Sequence, residues 1–240
     1  MARSQSSAVL KTIFMLTAML LNALAMAASS SLLAVASTGA KIISIAEARR
    51  MPLGTVLTIE GSVTVPSGAF KASVADDGFA VQDRSGGIYV SMKASLGLRV
   101  RQRVRLTGKL AESLGLLVIV PDDASAIEVR GRGKDLMPER VQTGKVNETT
   151  EGRLVKVAGK MTRAVTSDLP YGFRVFLDDG SGEVQIFVSA STNIDVSNLK
   201  RGQRLTVTGF SGQYKDHYEV SPRFQADISL LPKRNRRPAP

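Results

Sequence analysis

The chain has 240 residues, 43% hydrophobic and 22% charged, with 32 Lys and Arg against 21 Asp and Glu and a net charge of +11. That hydrophobic fraction excludes wholesale disorder, and the length admits one large or two small domains. Cys is absent and His217 is the single histidine, which excludes disulfides, thiolate metal sites, cysteine nucleophiles and a multi-histidine metal centre.

The N-terminus reads as an export signal. Arg3 and Lys11 precede a charge-free run from Thr12 to Ala28, with small-x-small sites at its end, Ala23-Leu24-Ala25 and Ala25-Met26-Ala27, and a third beyond it, Ala34-Val35-Ala36. The expected cut lies after Ala25, Ala27 or Ala36, leaving residues 1–36 as signal and spacer and the mature protein in the periplasm or outside the cell. A retained membrane anchor is the alternative, because the charge-free stretch extends to Ala40.

After the signal, one pattern is written twice. Gly54-Thr55-Val56-Leu57-Thr58-Ile59-Glu60-Gly61 matches Gly152-Arg153-Leu154-Val155-Lys156-Val157-Ala158-Gly159. Asp83-Arg84-Ser85-Gly86 matches Asp179-Gly180-Ser181-Gly182, and Gln102-Arg103-Val104-Arg105-Leu106 matches Gln203-Arg204-Leu205-Thr206-Val207. Pro121 pairs with Pro222 and Ile127 with Ile228, in unbroken order. This is a tandem duplication with expected domains at 41–136 and 137–232 and a basic tail at 233–240.

Within each copy the apolar period is two: Leu57 and Ile59, Val104 and Leu106, Val184 and Ile186, Leu205 and Val207. Period two with closely spaced Asp/Ser/Gly turns predicts strands joined by hairpins. Ser44-Ile45-Ala46-Glu47 predicts a capped short helix before the first barrel. Gly61 and Gly159 suit a bulge that bends the first strand. About five strands per copy fit an all-β chain of two OB barrels; an immunoglobulin-like sandwich needs about seven.

The stretches Gly78-Phe79-Ala80-Val81-Gln82-Asp83-Arg84-Ser85-Gly86-Gly87-Ile88-Tyr89-Val90 and Tyr218-Glu219-Val220-Ser221-Pro222-Arg223-Phe224-Gln225-Ala226-Asp227-Ile228 resemble the tandem OB-fold domains of secreted bacterial proteins, often appended to extracellular nucleases. The resemblance implies an OB fold and nucleic-acid binding. It carries over no catalytic residues, since no nuclease domain fits beside the two copies.

An OB barrel binds along the outer face of its second and third strands, between two loops. In the second copy, inward Phe173, Val175 and Leu177 turn Arg174 and Phe176 outward, while inward Val184, Ile186 and Val188 turn Gln185 and Phe187 outward. Two rings beside an arginine suit single-stranded nucleic acid, which needs stacking surfaces and a phosphate partner. The alternative is that Phe176 and Phe187 pack against the first domain or the linker. In the first copy the corresponding outward residues are Ala80, Gln82, Tyr89 and Ser91. Gln82, Tyr89, Lys93 and Lys215 complete the candidate set.

The charge is concentrated at the ends. Residues 41–136 carry a net +4, residues 137–232 only +1, and Lys233, Arg234, Arg236 and Arg237 give the tail +4. A folded part this mildly basic argues against tight nonspecific duplex binding. Arg103 and Arg105 are expected on one solvated strand face, and Asp76-Asp77, Asp122-Asp123 and Asp178-Asp179 at turns. His217 is expected in an exposed loop. No catalytic motif and no cofactor are expected. Two readings result: an exported binder of single-stranded nucleic acid, or an envelope adaptor that holds a protein or polysaccharide.

Overall fold

The computed structural model describes residues 41–71 and 76–232. The export signal and the tail cations Lys233, Arg234, Arg236 and Arg237 lie outside the described residues.

Fifteen strands and one short helix appear among the described residues. In the first copy these are β1 (Ile42–Ile43), α1 (Ile45–Ala48), β2 (Val56–Val65), β3 (Phe79–Gln82), β4 (Gly87–Val90), β5 (Gln102–Ser113), β6 (Leu116–Val120) and β7 (Ile127–Arg132). The second copy has β8 (Glu139–Arg140), β9 (Leu154–Met161), β10 (Thr166–Asp168), β11 (Gly172–Asp178), β12 (Glu183–Ser189), β13 (Arg204–Tyr214), β14 (His217–Ser221) and β15 (Ile228–Leu230).

Each copy closes into a five-stranded barrel. The first runs β2-β3-β4-β6-β5 and returns to β2; the second runs β9-β11-β12-β14-β13 and returns to β9. In both, the third and fifth barrel strands pair in parallel and the other barrel pairs are antiparallel. This is the OB strand order. Pro121 and Pro222 each follow the fifth strand, and Ile127 and Ile228 each open the extra strand that flanks the fourth. Strand β10, paired with β11, has no counterpart among the described residues of the first copy.

The cores follow from the period-two pattern. Leu57, Ile59, Val81, Ile88, Val90, Val104 and Leu106 fill the first barrel; Val155, Val157, Val175, Leu177, Val184, Ile186, Val188, Leu205 and Val207 fill the second. Gly61 and Gly159 are not bulges. A Cβ at Gly61 would stand 3.0 Å from the Gln82 carbonyl oxygen, and one at Gly159 2.9 Å from the backbone of Asp178. Glycine is required there because the first strand presses on the second; the register shift falls further on, between Val63 and Val65.

The repeated Asp-x-Ser-Gly turn ties each barrel to the segment that enters it. Asp83 and Ser85 accept hydrogen bonds from the amides of Ile45 and Ala46 at the start of α1, each at 3.0 Å. Asp179 and Ser181 accept from the amides of Thr143 and Gly144, at 3.3 and 3.0 Å. Ser44 caps α1 as expected, accepting from the Glu47 amide.

Candidate functional site

The two barrels dock through a third apolar cluster, built from Val65, Phe70, Ala80, Tyr89, Leu116, Val118 and Phe210. Six of these belong to the first barrel and Phe210 to β13 of the second. Ala80 and Tyr89 do point out of the first barrel, as the sequence predicts, but they are 0% and 1% exposed because the second barrel covers them.

This corrects two candidate residues. Gln82 is buried, and its side-chain carbonyl accepts from the Leu154 amide of β9 at 2.8 Å. Tyr89 donates to Asp76 at 2.8 Å and packs edge-on against Phe210, with ring centroids 5.9 Å apart. Burial, then the neighbouring Asp76 carboxylate, pushes the Tyr89 hydroxyl far above its ordinary pKa. Gln82 is not free for a ligand, and Tyr89, docked under the second barrel, can present only an edge of its ring to the cavity described below. Strands β3 and β4 are buried at every position, so both of their faces are spoken for.

Polar bonds lock the same junction. Arg49 at the end of α1 pairs with Glu151 at 3.0 Å and Glu148 at 2.8 Å. Arg153 donates to the Ser85 carbonyl at 2.7 Å, and Arg223, held by Asp227, donates to the Thr64 carbonyl at 2.7 Å.

The second barrel keeps its outer face open onto a cavity of about 350 Å³ beside this junction. Two strand pairs set it: Arg174 lies opposite Phe187, and Phe176 opposite Gln185, across β11 and β12. Of these four, Arg174, Gln185 and Phe187 line the cavity. Phe187 is only 7% exposed, so it forms a wall and not a projecting platform. Phe176 does not line the cavity; its ring is covered by the Arg163 guanidinium, 4.1 Å from the centroid. The expected pair of free rings is therefore absent at this face.

The cavity draws on four rings outside the sequence candidates, Phe70, Tyr171, Phe210 and Tyr214; with Tyr89 and Phe187 they make six, half of the chain's eight Phe and four Tyr. Tyr171 stands in the loop joining the first and second barrel strands, and Tyr214 ends the fourth. These are the two loop regions that flank an OB binding face. Lys215 is exposed, with its ammonium 5.3 Å from the Tyr214 ring; Lys93 is exposed and does not line the cavity.

The polar wall is balanced. Arg174 pairs with Asp168 at 2.6 Å, and Gln185 donates to Glu219 at 2.7 Å. His217 is not a free loop residue: it opens β14, lies 3.2 Å from Gln185 and 3.6 Å from Glu219, and lines the cavity. Its hydrogen bond to Glu219 raises its pKa above the ordinary value, against the opposing effect of burial. This wall can offer an amide, an imidazole, a guanidinium and two carboxylates to the edge of a planar ring.

The acidic pairs sit at turns or strand ends, as expected, and Asp76 accepts from Tyr89, Ser91 and the Gly78 amide. Arg103 and Arg105 share a face, where both pair with Glu60. Among the described residues there is no group of three or more His, Asp or Glu able to hold a metal ion.

No protein-family model matches the chain, and a search of curated proteins finds no match either. Among solved structures, it is similar to an OB domain from Methanosarcina mazei at 15% identity, over 40% of this chain and 86% of that one, with a TM-score of 0.34. It is similar to the p204 HINb domain at 13% identity, over 74% and 96% of the two chains, with a TM-score of 0.35. A murine DNA-binding protein bound to double-stranded DNA matches at 10% identity, over 75% and 99%, with a TM-score of 0.39. The OB assignment rests on the chain's own strand order.

Proposed function

We propose that this is an exported, non-catalytic protein that binds single-stranded nucleic acid at the outer face of its second barrel, with one base seated in the aromatic cavity. One observation carries the reading: six rings, Arg174 and Gln185 converge on a cavity framed by the two loops that flank an OB binding face. The volume of about 350 Å³ is at the small end of ligand sites, suited to one ring system and not to a stacked run of bases. Export is supported by the charge-free N-terminal run, and an accessory role beside secreted nucleases by the motif resemblance.

The test is fluorescence anisotropy of a labelled 20-nucleotide single strand with the full chain and with Tyr171→Ala and Tyr214→Ala, two residues 56% and 37% exposed. Stacking is worth ~1–3 kcal/mol per base, so each substitution is expected to weaken binding by at least about fivefold. Unchanged affinity in both variants, or no binding at low salt, refutes it.

A second reading has an observation of its own. Asp168 and Glu219 offset Arg174 and His217 in the polar wall, which favours an uncharged ring such as a sugar of an envelope polysaccharide. Binding of a neutral oligosaccharide, insensitive to salt and lost in the same variants, would select that reading.

A further inference from the structure

We infer that the outer face of β9 and β13, away from the cavity, is a separate contact surface that takes the phosphodiester backbone of a nucleic acid strand. This rests on the reading that the protein binds nucleic acid, and it adds where the charge is met.

Lys156 and Lys160 point out of β9, alternating with core Val155, Val157 and Met161. Lys160 stands directly opposite Arg204 of β13, and Arg140 of β8 directly opposite Lys156. Like charges facing each other across strands destabilise a sheet. Nothing in the second barrel relieves them, because its Arg ion pairs engage Arg153, Arg163, Arg174 and Arg223. Asp178, opposite Lys160 on the other side, turns its carboxylate to the amides of Gly180 and Gly182, at 2.7 and 3.3 Å.

The first barrel shows how the same face is neutralised. There Glu60, 12% exposed at its side chain, pairs with both Arg103 and Arg105. Its counterpart in the second copy is Ala158, and the neighbours Thr58 and Ser62 are replaced by Lys156 and Lys160. On β9 one carboxylate is lost and two cations are gained, while on the facing strand Arg105 gives way to Thr206; the face is left with Lys156, Lys160 and Arg204 and no carboxylate to pair them, at a cost to the fold that an external polyanion would offset. Four residues along a strand span about 13 Å, so the facing pairs form two rungs within reach of one strand's successive phosphates. Between the rungs stand Ala158, Thr206 and Ser229, and Thr208 lies opposite Lys156, all small or hydroxyl-bearing. Hydroxyls donate to phosphates, whereas adsorption to a membrane calls for aromatic or large apolar anchors; here the exposed Leu230 and Leu231 stand at the edge beside Arg204 and none stands between the rungs.

The probe is a labelled single strand of 20 abasic deoxynucleotides, titrated with the full chain at two salt concentrations. The variant Lys156→Thr/Ala158→Glu/Lys160→Ser transplants the first barrel's residues onto the second. The wild-type chain is expected to bind the abasic strand. The triple variant should weaken it at least about tenfold at low salt and flatten the salt slope by about 2, at about 0.7 for each of three contacts: the two lysines removed, and Arg204 paired by the introduced carboxylate as Arg103 is by Glu60. The single variants Lys156→Gln and Lys160→Gln, which leave the core untouched, should each weaken it about threefold. Unchanged abasic binding in all three variants overturns the inference, as does binding only to anionic lipid vesicles. Tyr171→Ala and Tyr214→Ala should keep the abasic affinity in full. If those two changes also leave a base-bearing strand unaffected while the triple variant weakens it, the cavity reading falls and this one stands.

Discussion

Gly87→Ala tests the junction at its tightest point. A Cβ on Gly87 would lie 2.0 Å from the carbonyl oxygen of Gly152 and 2.5 Å from its carbon, where real contacts stay beyond 3.0 Å. The obstacle is backbone on both sides, so no side chain can rotate away, and the barrels must separate by about 1 Å or more. That separation reaches the cluster of Phe70, Tyr89, Leu116 and Phe210 and the buried pair of Arg49 and Glu151. Overpacking alone costs about 1–3 kcal/mol, and loosened dispersion contacts add to it, so the expected loss is about 3 kcal/mol or more. Guanidinium unfolding, followed by circular dichroism and tyrosine fluorescence, reads it. A decoupled junction should also split one transition into two. The counterpart of Gly87 in the second copy is Glu183, whose carboxylate pairs with Arg163 and accepts from Thr162, so Glu183→Ala should cost about 1 kcal/mol and leave the number of transitions unchanged. A Gly87→Ala protein within 1 kcal/mol of wild type, unfolding in one step, would refute the reasoning.

Three further outcomes follow from the same geometry. Arg49→Met strands Glu151, whose side chain is wholly buried, and should cost about 3–5 kcal/mol in denaturant unfolding; adding Glu151→Gln should recover most of it. Burial raises the Glu151 pKa despite Arg49, so its contribution is present below the ordinary carboxylate range and lost as pH rises through the raised value; the Arg49→Met defect should therefore ease in mildly acidic buffer. Hydrogen bonds led by that from Ser181 hold Asp179 down to about 2, so its contribution is present above the ordinary 3.8 and lost as pH falls through about 2; Asp179→Asn should flatten urea-measured stability across that window. In Glu219→Gln the His217 ring, followed by NMR, should titrate closer to the ordinary 6.5, and an unchanged midpoint would discount the bond between them.

The barrels were legible because their determinants are local. Alternating apolar residues, turn glycines and a duplicated order specify each strand within a few residues of itself, and Leu57, Ile59, Leu205 and Val207 face inward as their spacing requires. The cavity was only half legible for the opposite reason. Arg174, Gln185 and Phe187 follow from strand alternation, but Phe70, Tyr171 and Tyr214 come from loops and strand ends that alternation does not place. The fate of Tyr89 and Gln82 left a trace that could have been read. Phe79-Ala80-Val81 and Ile88-Tyr89-Val90 are continuous apolar runs, without the polar partners that a solvated face demands.

That trace bears on how a duplicated fold divides its work. Both copies inherit the same outer face, and in the first copy the other barrel covers nearly all of it. Ala80, Gln82 and Tyr89 are spent on docking, with Gly87 and Gly152 removing the side chains that would hold the barrels apart. The equivalent face of the second barrel keeps Arg174 and Gln185 at a cavity, and its far side exchanges the neutralising Glu60 for Ala158. Divergence between the copies thus falls at positions that the shared fold does not need, since the core alternation survives in both. The first barrel supplies one wall of the cavity through Phe70, Tyr89, Leu114 and Leu116, so the second barrel expressed alone should fold with its core intact and lose that wall. Ligand affinity that survives in the isolated second barrel would therefore place the binding energy on β11, β12 and their loops; affinity that vanishes would make the docked pair the smallest binding unit.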